Sequence, residues 1–374
     1  VVEVRGFAKA PFDRVEAAFA ANFDEGQEIG ARVCIVHDGE LVVDLMGGFA
    51  DRAGTRPFDA GTLTPVFSTT KAVAALMLAR LVDQGRLAYD QTVASVWPAF
   101  AQAGKERVTI EQVLSHQAGL AGFLEPMDPA QWFDWDVICA KLAAMAPLWP
   151  PGTASGYHPS TYGHLAGEIF RRVDGRTLGT ALREDLAGPF GLDLWIGLPD
   201  AEHARVAEMQ RPTGLPRFGQ SNDAVRAAFL TPWASPGGRG SGDWRRAEFP
   251  SANGHATAEA LARLFGALAR DGWLDGEMIL SPSLIFEMAR ERIRGRDLVL
   301  PFEVSWGAGV MRNETLHVWG PGDETFGHAG WGGSCVFVDP ARKLAGAYVM
   351  NKQSTALVGD PRARRLIEAA YAGG

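Results

Sequence analysis

Within residues 12–25 the apolar positions Val15, Phe19 and Phe23 recur every fourth residue, which predicts an amphipathic helix. Residues 31–46 form two apolar runs around Asp38-Gly39, a dipeptide that accepts the positive φ angles of a two-residue hairpin. Strand character returns at residues 304–312, 333–338 and 344–350, with Pro340 in the turn between the last two, and residues 361–371 read as a closing helix. Between these ends the pattern is helical: residues 71–84, 110–115, 135–146 and 162–173, separated by loops rich in Pro and Trp. Strands at both ends and helices between them predict an α/β domain of the α+β type, built from residues 1–85 and 235–374, with a mostly helical domain, residues 86–234, inserted and the active site in the cleft between them. One connection, residues 211–250, carries Pro212, Pro216, Pro232, Pro236 and the run from Gly237 to Gly242. Loops of this length are functional elements or mobile spacers, and its composition fits both.

The length, 374 residues, suits two domains of roughly 150 residues or a large one with an insertion. With 47% hydrophobic and 21% charged residues the chain is neither disordered nor fibrous. Its net charge is −8, and no cluster of Lys and Arg offsets it, so neither nucleic acid nor an anionic membrane is an expected partner. Cys34, Cys139 and Cys335 are isolated, which supports neither a disulfide framework nor a thiolate metal site. Residues 1–23 mix charged with apolar positions unlike a signal peptide, and no run of 18 apolar residues occurs, so the expectation is a soluble, cytoplasmic protein.

Several common catalytic signatures are missing: the Gly-x-Ser-x-Gly elbow, the His-Glu-x-x-His metal helix, the P-loop and the dinucleotide fingerprint. The His residues are scattered, the nearest pair being His158 and His164, so no metal and no cofactor are expected. What remains is Ser68-Thr69-Thr70-Lys71, at the start of the helix that continues through Val73, Leu76, Met77 and Leu81. Positions i and i+3 share a helix face, so Ser68 Oγ and Lys71 Nζ can meet. The free N–H groups and positive dipole of a helix start favour a neutral amine and a developing oxyanion. A neutral Lys is the base that a Ser nucleophile needs. The alternative is an N-cap Ser beside a solvated Lys. By chance a chain with this many Ser and Lys would hold about 0.2 such pairs.

Four segments in order extend this observation. Phe67-Ser68-Thr69-Thr70-Lys71 resembles the nucleophile motif of the serine β-lactamase and penicillin-binding-protein superfamily. Residues 108–120, VTIEQVLSHQAGL, resemble that superfamily's Leu-Leu-x-His-x-Ser-Gly-Leu segment. Pro151-Gly152 leading to Tyr157 resembles the second motif, and Gly327-His328-Ala329-Gly330-Trp331-Gly332-Gly333 the third, on a strand beside the active site. Within the superfamily the chain is similar to the carboxylesterases of family VIII, which themselves resemble class C β-lactamases. Two positions depart from the lactamase pattern: Tyr157-His158-Pro159 stands for Tyr-x-Asn, and His328-Ala329-Gly330 for Lys-Thr-Gly. Pro159 offers no side-chain amide, and an imidazole replaces the Lys that would attract a substrate carboxylate.

The resemblance implies an antiparallel sheet flanked by terminal helices, with a helical domain beside it. It implies a serine hydrolase that cleaves short-chain carboxylic esters through an acyl-enzyme on Ser68, with Lys71 and Tyr157 sharing proton transfer and either able to be the primary base. The Ser68 and Trp331 amides would form the oxyanion hole, with His328, Gly330 and His158 on the substrate side. The rival implied activities are lactam or amide hydrolysis, acyl transfer, and substrate binding without turnover; the intact Ser68, Lys71 and Tyr157 argue against the last. The partner expected is a small ester, and no oligomeric state is implied. Several residues have quieter readings. Tyr157 could be a core aromatic with a satisfied hydroxyl, and His328 could be a structural hydrogen-bonding residue. His116 reads as buried and structural, and Asn253 and His255 as caps of the following helix. Phe123, Trp132, Phe133 and Trp135 divide between core and pocket wall.

Overall fold

The fold turns on a hairpin that the sequence specifies closely. Asp38 and Gly39 adopt φ of 46° and 82°, the geometry whose twist matches paired strands. They join β2 (Gly30–His37) to β3 (Glu40–Gly48). A computed structural model describes residues 2–218 and 221–373. In it, β1 (Val4–Ala8) pairs with β3, and six further strands of the same antiparallel sheet come from the second half of the chain. These are β4 (Ile293–Arg296), β5 (Glu303–Trp306), β6 (Met311–Arg312), β7 (Phe326–Ala329), β8 (Cys335–Asp339) and β9 (Leu344–Met350). The spatial order is β1-β3-β2-β9-β8-β7-β6-β5-β4, so β2, early in the chain, lies along β9, late in it, with Ala31 opposite Met350 and His37 opposite Leu344.

Alternation along the central strands divides the core into two layers. Val33 and Ile35 of β2, with Leu344, Tyr348 and Met350 of β9, pack beneath α1 (Arg14–Asp24) and α8 (Pro361–Tyr371). Cys34, Val36, Ala345, Ala347 and Val349 point the other way, against α6 (Ala258–Ala269) and the helices beyond it. Those include α2 (Thr70–Asp83), α3 (Ile110–Leu114), α4 (Trp135–Ala144), α5 (Thr161–Asp174) and α7 (Pro282–Ala289). From Thr70 to Ala79 every residue of α2 is buried, as befits a helix apolar nearly all round. It packs on α5 and α7. No helix among the described residues is long and apolar enough to cross a membrane.

Glycines account for two differences from the sequence reading. The single strand expected over 304–312 is split into β5 and β6, with Trp306 paired to Met311. Gly309, at φ 86°, lies so close to α2 that a Cβ there would sit 2.6 Å from Ala75 Cβ. Likewise the strand expected from 333 begins at Cys335, because Gly332 and Gly333 take φ of 91° and 136°. Asn253 and His255 do not cap α6. Thr257 does, its hydroxyl accepting the Ala260 N–H at 3.2 Å. His255 lies in a short strand pairing with Pro65 and Trp195, while the Asn253 side chain bonds Phe249 N, Trp244 O and Ala247 O.

Candidate active site

Ser68 sits in a strained turn that leads into α2. Phe67 before it has φ 45°, a conformation costing an L-residue about 1–3 kcal/mol and held only where its surroundings enforce it. The surroundings do so through hydroxyls. Thr70 Oγ1 donates to Phe67 O (2.5 Å) and accepts the Gly254 N–H (2.8 Å), while Ser334 Oγ donates to Val66 O (2.8 Å). Helix α2 begins at Thr70, so Ser68 is not its N-cap.

Lys71, one turn into the same segment, is fully buried with Nζ 3.1 Å from Ser68 Oγ. Its other neighbours are two carbonyls, Pro159 O and Ser251 O, each at 2.9 Å. Burial, unopposed by any carboxylate, drives its pKa well below the ordinary 10.5. A neutral amine has two N–H groups and one lone pair. In that form Lys71 would give its two N–H groups to the two carbonyls and turn its lone pair to the Ser68 hydroxyl proton.

Tyr157 closes the other side of this cluster, its ring centroid 4.8 Å from Lys71 Nζ. Burial raises the phenol pKa above 10, against the lesser opposing effect of Ser68, so Tyr157 stays protonated at neutral pH. Its ring stacks parallel to Trp306 at 5.9 Å. Its backbone N–H donates to the buried carboxylate Asp297 (2.9 Å), which also accepts from Ser155 Oγ, Val299 N and Leu300 N. Asp297 thus ties the Tyr157 segment to the sheet edge.

The turn after β7 supplies the third side. Neither the Ser68 nor the Trp331 amide has a backbone acceptor among the described residues. This turn is held from behind: Arg362 Nη2 donates to Gly332 O (2.7 Å) and Gln353 Nε2 to Trp331 O (3.1 Å). Arg362 is itself fixed by Glu28 Oε2 (3.0 Å) and Asp360 Oδ2 (2.9 Å). Gly330, expected on the substrate side, does not line the catalytic cavity. A Cβ there would lie 2.2 Å from both Val66 O and Ser334 Oγ, so this glycine lets β7 press against the nucleophile turn. His158 is also placed differently from its expectation. It is buried in the neighbouring core, Nε2 accepting the Leu120 N–H (3.0 Å) and Nδ1 donating to Gly156 O (2.6 Å), because it follows Tyr157 on the opposite side of the chain. His328 does line the cavity. Nδ1 donates to Ala329 O (2.9 Å), Nε2 has no partner among the described residues, and burial lowers the pKa to about 3. It is a neutral, buried residue of the cavity wall.

In front of Ser68 opens a largely apolar cavity of about 230 Å³. Much of its wall is the 211–250 connection, through Leu215, Phe218, Phe229, Pro236, Trp244 and Phe249, so this long loop is a roof over the site. Of the aromatic run, Trp132 lines the cavity. Phe123 packs in the core, Phe133 lies against Phe249, and Trp135 donates to Glu168 (2.8 Å). His116 is buried with φ 62°, its Nδ1 accepting the His158 N–H (3.1 Å), a structural post between Tyr157 and Trp306. Among the described residues no group of three or more His, Cys, Asp or Glu is arranged to hold a metal ion.

Sequence reasoning missed the carbonyls of Pro159 and Ser251, which no residue type announces. It also missed Asp297, Ser334 and Arg362, whose roles depend on segments far apart in the chain. Ser251 had one available signal: it lies in the Pro-Ser-Ala-Asn-Gly stretch that also supplies Gly254 to the nucleophile turn.

Comparison with known proteins places the chain among relatives of the same fold. The chain is 36% identical over 370 residues to the esterase/β-lactamase LipL of Mycobacterium tuberculosis, covering 95% of this chain and 84% of that one. It superposes on a penicillin-binding-protein homologue from Caulobacter crescentus with a TM-score of 0.98 and 65% identity, covering 99% and 100% of the two chains. A solved family VIII carboxylesterase gives a TM-score of 0.93 and 43% identity, again over 99% and 100%. The β-lactamase family model matches residues 12–371, nearly the whole length over which the sheet and the buried Lys71 are built, and the chain belongs to that family.

Proposed function

We propose that this chain is a serine carboxylic ester hydrolase that cleaves short-chain esters through an acyl-enzyme on Ser68. The observation that carries this reading is Lys71, buried without a carboxylate and with Nζ 3.1 Å from the Ser68 hydroxyl. The names of its relatives, an esterase/β-lactamase and a family VIII carboxylesterase, support the reaction class.

Ser68 Oγ attacks the ester carbonyl carbon as its proton passes to Lys71 Nζ. The new C–O bond leaves negative charge on the former carbonyl oxygen, which the Ser68 and Trp331 N–H groups accept; each such donor is typically worth about 3 kcal/mol. The intermediate collapses, the ester C–O bond breaks, and the departing alkoxide takes a proton. Tyr157, kept protonated by burial and beside Ser68, is placed to deliver that proton and to recover one from Lys71. Water then repeats the sequence on the acyl-enzyme, with neutral Lys71 again the proton acceptor. A cavity of about 230 Å³ favours short acyl groups. Neutral His328 and Pro159, which has no side-chain amide, supply neither the charge nor the amide that a lactam's polar groups would use.

The test is intact-mass measurement after mixing with 4-nitrophenyl butyrate. One butyryl adduct on the peptide bearing Ser68, absent in Ser68→Ala, is the expected result. Turnover that persists in Ser68→Ala, or an adduct on another residue, rejects the assignment. A cephalosporin turned over with higher kcat/KM than the butyrate would reject the ester preference while leaving Ser68 in place.

A further inference from the structure

Behind Trp331 lies a second cavity, of about 250 Å³, that shares Phe67, Trp244, Trp331 and Arg239 with the catalytic one. Its charge is unusual for a chain of net charge −8. Arg52, Arg211, Arg239 and Arg245 line it against one carboxylate, Glu208, which sits 3.6 Å from Arg52. Several arginines elsewhere are matched by carboxylates: Arg176 bridges Asp174, Glu184 and Asp185, and Arg205 bridges Asp193 and Glu202. Arg239 and Arg211 have no carboxylate partner among the described residues. The Arg239 guanidinium lies over the Trp331 ring, 5.1 Å from its centroid. Arg245 gives one bond, to His203 O (3.2 Å), and its buried Nε has no partner among the described residues. The pKa directions are consistent with this: burial and then Arg56 lower half-buried Arg245, whereas the carboxylates beside Arg176 and Arg205 raise theirs.

We infer that this arginine-lined cavity is a subsite for a carboxylate carried by the ester substrate, with Arg239, on the shared wall, gripping that group while the ester carbonyl lies at Ser68. The inference rests on the ester-hydrolase reading and narrows it to esters that bear an anion at one end. A planar guanidinium engages a carboxylate through two parallel N–H bonds, and Arg52, Arg211 and Arg239 are exposed at the cavity wall, where such a ligand can reach them. The carboxylate could belong to the acid half or the alcohol half of the ester, and the substrates below separate the two.

The experiment compares matched pairs. The monoester of adipic acid with 4-nitrophenol is set against 4-nitrophenyl hexanoate for the acid side, and 3-acetoxybenzoate against phenyl acetate for the alcohol side. The expected result is that in one pair the charged ester has the higher kcat/KM, by about tenfold, and that raised salt erodes this preference. Arg239→Gln and Arg211→Gln should each lower the charged-to-neutral ratio about fivefold or more, through KM, with Arg239→Lys retaining part of it. A binding readout independent of turnover uses Ser68→Ala: calorimetric titration should show adipate binding more tightly than hexanoate, and Arg239→Gln should erase the difference. Arg239-dependent adipate binding without turnover of any ester would uphold the subsite and overturn the hydrolase reading. Equal handling of charged and neutral members in both pairs, or ratios that ignore both arginines, would overturn the subsite and leave the hydrolase reading standing.

Discussion

Two of the six lysines are fully buried, and their surroundings differ by a single acceptor. Lys105 Nζ donates to three carbonyls, Gln102 O (2.9 Å), Ala143 O (3.0 Å) and Met145 O (2.5 Å). Lys71 Nζ meets two carbonyls and the Ser68 hydroxyl. Three carbonyls demand three N–H groups and hold Lys105 as an ammonium clamp across the helical region. Two carbonyls and a hydroxyl suit an amine that can receive a proton. Burial lowers both pKa values, well below the usual range for Lys71. Buried Arg362 marks the opposite extreme, because Glu28 and Asp360 are its partners and hold its pKa up. The acceptors around a buried cation, more than burial itself, decide whether it is a base, a clamp or a permanent charge.

The largest effects should come from the reactive set. Ser68→Ala is expected to lower kcat on the order of 10⁴-fold or more, and Lys71→Met and Tyr157→Phe on the order of 10³-fold or more each, with the double variant little worse than either. Lys71→Arg should be as inactive as Lys71→Met, since a guanidinium keeps the charge but cannot lend a lone pair. Circular dichroism serves as the folding control. Multiplicative losses in the double variant would show that Lys71 and Tyr157 act separately.

Arg362→Met comes next. It leaves Glu28 and Asp360 buried without their cation and should cost about 3–5 kcal/mol of stability, read from urea denaturation. Because Arg362 also holds Gly332 O, kcat should fall in the protein that stays folded while KM changes less. Lys105→Met should cost about 1–3 kcal/mol through its orphaned carbonyls yet leave kcat per folded molecule unchanged. If Lys105→Met lowers kcat as Lys71→Met does, the contrast between the two lysines fails.

The pH profile refines the same contrast. Lys71 accepts a proton only when neutral, and its pKa lies well below 10.5, so kcat should reach its plateau well before pH 10.5 and fall on acidification. A rate still climbing through pH 10 would mean that Lys71 keeps an ordinary ammonium. The smallest effect concerns Glu28, whose pKa is raised by burial from 4.5 to about 7. Its native state holds the proton more tightly than the unfolded chain does. That contribution to stability is complete below about pH 4.5 and is lost as pH rises towards 7. Glu28→Gln should flatten stability across this interval, and an unchanged slope would assign it to other groups.

Local patterns were readable in the sequence wherever one short segment carried the physics. Asp38-Gly39 announced its hairpin, and the i,i+3 spacing of Ser68 and Lys71 announced that their side chains meet, even with Ser68 in the turn before α2, because turn chemistry and short spacings are local properties. Assembly over distance was not readable. β1 is mostly exposed along an edge and lacks the alternation that flags a half-buried strand. His158 has the residue type of a substrate-side group, and only the direction of the chain after Tyr157 sends it into the core. Gly330 signalled a close approach, but the partner proved to be the nucleophile turn, a segment hundreds of residues away in the chain.

The pairing of β2 with β9 has a consequence for how the molecule comes into being. As the chain leaves the ribosome, the β2 edge, Gly30–His37, waits for Leu344–Met350 with its apolar faces and backbone groups unmatched. Contacts this distant in sequence form slowly, and exposed edges of this kind recruit other chains. Nascent protein is therefore most open to aggregation during late synthesis, and chaperone protection of that interval, more than any optimisation of the finished core, should govern how much active enzyme a cell recovers.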